Sequence, residues 1–278
     1  MVLFDNHNHS QFSFDGKRTS VEKSARQAIA SGLGGLAFTD HCDFFVPEMK
    51  AAQENLVSEV FDVAPQQAEI DRVQTVLAGE GRALKILKGI EVGMHEDCHE
   101  QIRKTLKDNR FDQIIASVHY LDGIDPFYGG YYEGKTWREA YGHYLETIWK
   151  EMRWLEDFDI MGHFDYVVRY APYPETCLRY RDFCDLLDEM LRYLIHNGKA
   201  LEINTKSYQP YHGREVTLDK DILCRYREMG GEIISLGSDS HDADRVGHNF
   251  VQAAEMLKSL GFRWTAHYES RKLVQLPL

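Results

Sequence analysis

Leu36-Ala37-Phe38-Thr39-Asp40-His41 decides how this chain reads: an apolar run of strand length that ends at once in ionisable, metal-type side chains. The same ending recurs at Phe4-Asp5-Asn6-His7-Asn8-His9, at Ile86 to Glu91, at Ile114 to His119, at Ile160-Met161-Gly162-His163, and at Ile233 to Asp239 and His241. Helical patterns separate these runs. After the first, Thr19 to Glu22 makes a T-x-x-E capping box, and Val21, Ala25, Ala28 and Ile29 follow at helical spacing until Gly32. Further helices are predicted near 64–79, near 97–108, within 136–156, within 180–197, within 217–229 and near 244–260. Strands at 35–39, 84–91, 112–118, 158–162, 199–204 and 231–237 join the first to make seven. Such alternation predicts an α/β fold with a parallel sheet and helical crossovers. An open doubly wound sheet would concentrate its chemistry at one crevice, usually after a Gly-rich first turn, which is absent here. Ligand-type residues at nearly every strand end favour a closed, TIM-like barrel, where those ends converge on one rim.

At 278 residues the chain fits a single barrel domain, 1–278, and no Ser/Gly/Pro tract marks a linker. The longest apolar stretches fall short of a membrane span, and no signal-like pattern precedes the first strand, so a cytoplasmic location is expected. Five cysteines without a C-x-x-C pair read as reduced packing residues. A formal charge of −12 disfavours nucleic acid and anionic membranes as partners, and an anionic small molecule would need local cations to bind. Segments 42–63 and 120–135, rich in Phe, Tyr and Gly, are candidate pocket walls on the same rim.

His7 and His9 are two apart on a strand and share a face, so both can reach one metal. Asp15 before Gly16 reads, on spacing alone, as a turn aspartate able to fold back to the rim. His41 is as well explained by a hydrogen-bonded structural role. Glu91, in Gly89-Ile90-Glu91-Val92-Gly93, can bridge two metals or pair with a basic neighbour at the barrel mouth. His119 and His163, each taken alone, read as structural residues, and Asp239 and His241 repeat the two-residue spacing. The signals gain weight by coinciding on one rim, and a mixed His/Asp/Glu set suits Zn, Fe(II) or Mn(II). Arg169 is expected in the loop after His163, as a phosphate clamp or a surface ion-pair partner. Asn204 is a rim hydrogen-bonder, and so a candidate for substrate binding beside Arg169, or a strand cap. His95-Glu96-Asp97-Cys98-His99 satisfies H-E-x-x-H, but it falls on the first turns of a helix and reads as a chance match.

His7-Asn8-His9-Ser10, Thr39-Asp40-His41, Ser117-Val118-His119 and Gly237-Ser238-Asp239-Ser240-His241, in this order, resemble the four motifs of the PHP (polymerase and histidinol phosphatase) superfamily. Asp40-His41-Cys42-Asp43-Phe44, the Glu91 and Gly162–Arg169 segments, and Leu201-Glu202-Ile203-Asn204-Thr205 are similar to its monofunctional histidinol-phosphate phosphatase branch. The resemblance implies a distorted barrel of seven β/α units with three divalent metals. It assigns His7, His9, Glu91 and Asp239 to the first, Glu91, His119 and His163 to the second, and Asp15, His41 and His241 to the third. Many members carry His where Asp15 stands. The resemblance further implies that Glu91, Asp239 and Arg169 serve catalysis, with Arg169 on the phosphate, in metal-assisted hydrolysis of L-histidinol phosphate. Alternatives are a PHP phosphoesterase for another ester, a metal-dependent amidohydrolase, for which no strand-end lysine stands out, and a non-catalytic metal-binding protein.

Overall fold

The computed structural model describes residues 1–45 and 59–278. Its strands are β1 (Phe4–Asn8), β2 (Gly35–Phe38), β3 (His41–Asp43), β4 (Glu59–Val60), β5 (Lys85–Gly93), β6 (Gln113–Ser117), β7 (Ile160–Met161), β8 (Ala200–Asn204), β9 (Ile234–Gly237), β10 (Trp264–Glu269) and β11 (Lys272–Pro277). The helices are α1 (Val21–Ala30), α2 (Val63–Gly79), α3 (His99–Asp108), α4 (Trp137–Leu155), α5 (Tyr166–Tyr170), α6 (Cys184–His196), α7 (Lys220–Glu228) and α8 (Phe250–Ser259). The sheet runs β1-β2-β5-β6-β7-β8-β9-β10-β11, parallel as far as β10. The seven predicted strands stand next to one another in chain order, so the sheet winds steadily in one direction.

β1 curls back against β9. A parallel bridge joins Asn8 to Ser240, and the Asn6 amide donates to the Leu236 carbonyl at 3.2 Å and the Ala266 carbonyl at 2.9 Å. This side-chain seam in place of a full ladder is what distorts the barrel. β1 is polar yet wholly buried, and most of its polar groups are paired, His7 Nε2 and Asn6 Oδ1 being exceptions. The Asp5 carboxylate, for example, receives the Ser238 and Gly247 N–H groups at 2.9 and 2.8 Å.

Three details depart from the sequence reading. The α1 cap is Ser20, whose hydroxyl accepts from Lys23 N, rather than Thr19, which pairs with Ser24. Glu22, expected in the box, instead meets Arg26 and Arg72. The stretch containing Arg169 is a short helix, α5, and not a loop. Most consequential, the pattern does not end at α8: β10 and β11 form an antiparallel hairpin at the sheet edge. Its turn, Ser270-Arg271, holds left-handed backbone at both residues (φ 49° and 66°) without the Asn-Gly or Asp-Gly pair that normally signals such a turn. Tertiary bonds hold it instead: Arg271 N to the Asp112 carbonyl at 2.8 Å, and the Arg271 guanidinium to Asp159 and Asp157 at 2.6 and 2.8 Å.

The first loop expected to wall the pocket is framed by β3 and β4, and residues 46–58 within it lie outside the described residues. The second holds two 3₁₀ turns, Pro126–Tyr128 and Gly130–Tyr132.

Candidate metal centre and phosphate cleft

All nine residues predicted as metal ligands meet at the C-terminal ends of the strands. They form four overlapping groups: His9, Asp15, His41 and His241; His7, His9 and Asp239; His7, Glu91 and His163; and His41, Glu91 and His119. Within each group the donor atoms lie within 4.8 Å of one another. Register explains part of this. His41 is paired across the ladder with Glu91, so the two side chains rise on the same face, and His41 Nδ1 stands 3.1 Å from Glu91 Oε2. Glu91 is the hub. Its Oε2 lies 3.1 Å from His7 Nε2 and 3.5 Å from His9 Nε2, and its Oε1 lies 3.0 Å from His163 Nε2 and 3.2 Å from His119 Nε2. Asp15, on the turn after β1, folds back so that its Oδ2 reaches His241 Nε2 at 2.7 Å. Asp239 adopts left-handed backbone (φ 48°), which turns its carboxylate towards His9 at 3.4 Å.

A supporting layer fixes these imidazoles. His119 Nδ1 donates to Asp43 Oδ1 at 2.9 Å and His7 Nδ1 donates to Glu202 Oε1 at 2.7 Å, leaving each Nε2 lone pair aimed at Glu91 and its neighbours. Close packing admits these carboxylates only beside glycine: a Cβ on Gly93 would strike the Asp43 carboxylate, and one on Gly237 would strike Glu202 and His7. Neither Asp43 nor Glu202 was singled out as a candidate from the sequence. Each sits inside a segment already quoted for the resemblance, but its partner is 76 or 195 residues away.

The donor set fits divalent cations. His7 Nε2, both ring nitrogens of His9, His41 Nδ1, Asp43 Oδ2, Glu91 Oε2 and His163 Nδ1 are buried and lack any aligned hydrogen-bond partner. Polar atoms this enclosed are costly unless something satisfies them, and one imidazole–carboxylate cluster rarely leaves so many open by accident. Charge balance says the same. Burial pushes the His41 pKa down, but Glu91, Asp43 and Asp15 outweigh it and drive it up to about 10. His9 goes the other way, lowered by burial and by the neighbouring His241 and His41. Burial opposes ionisation of Glu91, yet the surrounding His7, His119 and His41 hold it well below the usual carboxylate range. So packed a set of acids and imidazoles calls for added positive charge.

Over the cluster opens a cavity of about 200 Å³, lined by His41, His119, His163 and Asp239 and walled by Phe14, Phe127, Tyr128, Tyr166 and Tyr170 with the carboxylates Glu59 and Asp125. Glu59 is pushed up to about 8 by burial and by the adjacent Asp43. A second opening on the same centre, about 490 Å³, is lined by Asp15, Asp239 and His241 together with Lys17, Arg18, Arg169, Lys206 and Arg245. In a chain of net charge −12 this is a local concentration of cations suited to an anion. Arg169 is buried, and its Nε and Nη1 have no hydrogen-bond partner. Lys206, missed in the sequence because it follows β8 by two residues without a motif, places Nζ 2.9 Å from Asp239 Oδ1 and 3.0 Å from His241 Nδ1. Asn204 is buried, and its amide points to Asp239 Oδ2 at 3.3 Å and Glu202 Oε2 at 3.4 Å, the geometry of a group that orients carboxylates.

The H-E-x-x-H match does not assemble. His95 accepts from Asp97 N to cap a 3₁₀ turn, and His99 pairs with Glu151 at 2.7 Å against Trp154. Among the described residues neither joins a metal-type group.

The PHP domain model matches residues 5–206. Histidinol-phosphatase of Lactococcus lactis subsp. lactis is 32% identical over 274 residues, covering 98% of this chain and 97% of that protein. A crystal structure of histidinol phosphate phosphatase from Lactococcus lactis subsp. lactis, complexed with Zn, L-histidinol and phosphate, is similar at a TM-score of 0.83 and 31% identity over 98% of both chains. A structure from Listeria monocytogenes, at 20% identity and a TM-score of 0.69 over 90% of this chain and 99% of that one, shares the fold. Matched by that model over most of its length, and by a relative of that similarity over nearly all of it, this chain belongs to the PHP domain family.

Proposed function

We propose that this protein is a histidinol-phosphatase, a metal-dependent phosphoric monoester hydrolase that converts L-histidinol phosphate to L-histidinol and phosphate. The observation that carries the reading is the convergence of nine acid and imidazole donors beside a buried guanidinium with open donors. The Lactococcus lactis relative, complexed with Zn, L-histidinol and phosphate, supports it.

The overlapping groups suit three divalent ions of the Zn, Fe or Mn type: His7, His9, Glu91 and Asp239 would hold one, Glu91, His119 and His163 a second, and Asp15, His41 and His241 a third. When bound, such ions supply an acidified water and positive charge for the phosphoryl oxygens. The chain's own residues do the rest. Glu202 and Asp43 keep His7 and His119 in the tautomer that offers Nε2 inward. Arg169 takes phosphoryl oxygens through its free N–H groups, and bidentate geometry favours an in-line orientation of the ester. Lys206 adds a compact positive charge beside Asp239 on the cation-lined side of the cleft, able to offset negative charge on the phosphoryl oxygens. Phe14, Tyr128, Tyr166 and Tyr170 narrow the approach and limit bulk water. The whole chain, 1–278, serves as one catalytic unit, and a cytoplasmic setting suits its five free thiols.

An amidohydrolase reading would give the bridging place to a carboxylated lysine. Lys206 does stand at the rim, but Glu91 already occupies the position between the His7/His163 and His41/His119 groups, so that reading gains nothing. The deciding experiment measures phosphate release from L-histidinol phosphate against p-nitrophenyl phosphate and glycerol phosphate, with metal analysis of the same preparation. A preference for histidinol phosphate with bound transition metal is expected. Equal, slow turnover of all three, or none with metal bound, would overturn it.

A further inference from the structure

Among the described residues neither Glu59 nor Asp125 belongs to a metal-type group, yet both put carboxylates into the wall of the cavity over the centre. Asp125 is the more firmly placed. Its Oδ1 receives the Phe127 N–H at 2.8 Å and the Tyr166 hydroxyl at 2.9 Å. The Tyr166 ring in turn packs against the cluster, its centroid 5.7 Å from that of His119 and 5.1 Å from that of His163. Asp125 is therefore held about one tyrosine ring away from the reacting centre, on an acidic, aromatic wall opposite in character to the Arg169 and Lys206 side. With Oδ1 doubly occupied and Oδ2 taking no hydrogen bond among the described residues, the second oxygen is available to a ligand. An acid enclosed by Phe127, Tyr128, Tyr166 and Tyr170 suits an organic cation with a flat ring, since aromatic faces and a carboxylate both attract positive charge.

We propose that Asp125, positioned by Tyr166 and the Phe127 N–H, determines specificity by accepting a hydrogen bond from the ammonium group of the substrate's alcohol portion. This rests on the phosphatase reading above. In L-histidinol phosphate the ammonium sits on the carbon next to the ester CH₂, so a phosphoryl group at the metal cluster carries that ammonium into the cavity just above it.

The test is Asp125→Asn in the metal-loaded enzyme. The amide is isosteric and keeps an oxygen for the Phe127 N–H and the Tyr166 hydroxyl, and a thermal melt verifies the fold. For L-histidinol phosphate kcat/KM should fall about 10- to 100-fold, mainly through KM, as expected for losing a charged hydrogen bond. For p-nitrophenyl phosphate, which has no ammonium, it should stay within about 2-fold, a difference too small to reflect loss of such a bond. O-phosphoethanolamine against ethyl phosphate, a pair differing by the ammonium alone, separates this proposal from the substrate assignment. If the wild type ignores histidinol phosphate but prefers O-phosphoethanolamine, and Asp125→Asn erases that preference, the substrate assignment fails and Asp125 keeps its role. Equal losses on charged and neutral esters, or no loss on the charged ones, would overturn the role of Asp125.

Discussion

Glu202 accepts the His7 Nδ1 proton at 2.7 Å with one carboxylate oxygen and the His163 backbone N–H at 2.6 Å with the other. One buried acid on β8 thus aligns donors from β1 and from the end of β7, two strands that are not adjacent in the sheet. Glu202→Gln removes the charge that orders both. Metal affinity should drop by about 10–100-fold, the usual effect of losing such an outer partner. Activity at limiting metal should fall with it and recover at excess metal. Unchanged metal content after dialysis would contradict this.

Arg169 is expected to act on the phosphoryl group itself. Arg169→Ala should lower kcat/KM for phosphate esters by about 10²–10³, comparable to deleting a donor that stabilises developing negative charge. Arg169→Lys should recover part of that loss, since charge survives but the fork does not. The loss should be similar for charged and neutral alcohols, in contrast to Asp125→Asn.

Metal removal should destabilise as well as inactivate. Glu91, Asp239, Asp15 and Asp43 are crowded together, and ions that bind only the folded chain add stability by mass action. Treatment with a chelator should abolish turnover and lower the thermal midpoint, and added Zn or Mn should restore both. A midpoint indifferent to chelator would argue against resident ions.

His267 links stability to acid pH from outside the centre. It stacks on Phe4 with ring centroids 4.2 Å apart, and burial lowers its pKa from 6.5 although Glu269 pulls the other way. The folded state therefore resists protonation that the unfolded chain accepts. The contribution is full above the unfolded value of 6.5 and is lost as pH falls through the lower folded pKa. In urea unfolding, the stability difference between wild type and His267→Gln should shrink from about pH 7 to about pH 5. A constant difference would refute the assignment.

The thiols should label in two classes. Cys42 is buried, and its thiol is pushed far up by burial and by the Asp43 charge, while burial raises Cys98 to about 11. A native alkylation time course read by mass spectrometry should modify the partly exposed Cys184 and Cys224 first, since the reagent must reach the sulfur. Cys42 should react only on unfolding, and its early labelling would count against the packing around β3.

Much of the site was legible because strand periodicity makes it local. His7 and His9, or Asp239 and His241, share a face by being two apart, and an apolar run that stops at a His or Asp marks where a strand leaves the core. The seven barrel strands and the gathering of their ends followed from that pattern alone. Other features carry no local mark. Glu202 reads as one more acid in a strand, and Lys206 as an ordinary loop lysine, until β1 and β9 are folded beside them. The Ser270-Arg271 turn lacks turn chemistry because Asp112, Asp157 and Asp159 supply its restraint from other strands.

Sequence by itself determined the α/β alternation, the barrel class and the pairing of His7 with His9 and of Asp239 with His241, since these depend on spacing within a few residues; the full set of nine candidate donors, Asp15 above all, came from the resemblance of its motifs to the PHP superfamily. Tertiary structure alone decided which oxygens pair with which imidazoles, how β10 and β11 extend the sheet, and that Asp125 and Glu59 face the same cavity as the donors. Contacts between residues far apart in the chain depend on how the backbone closes, and no short stretch encodes that closure.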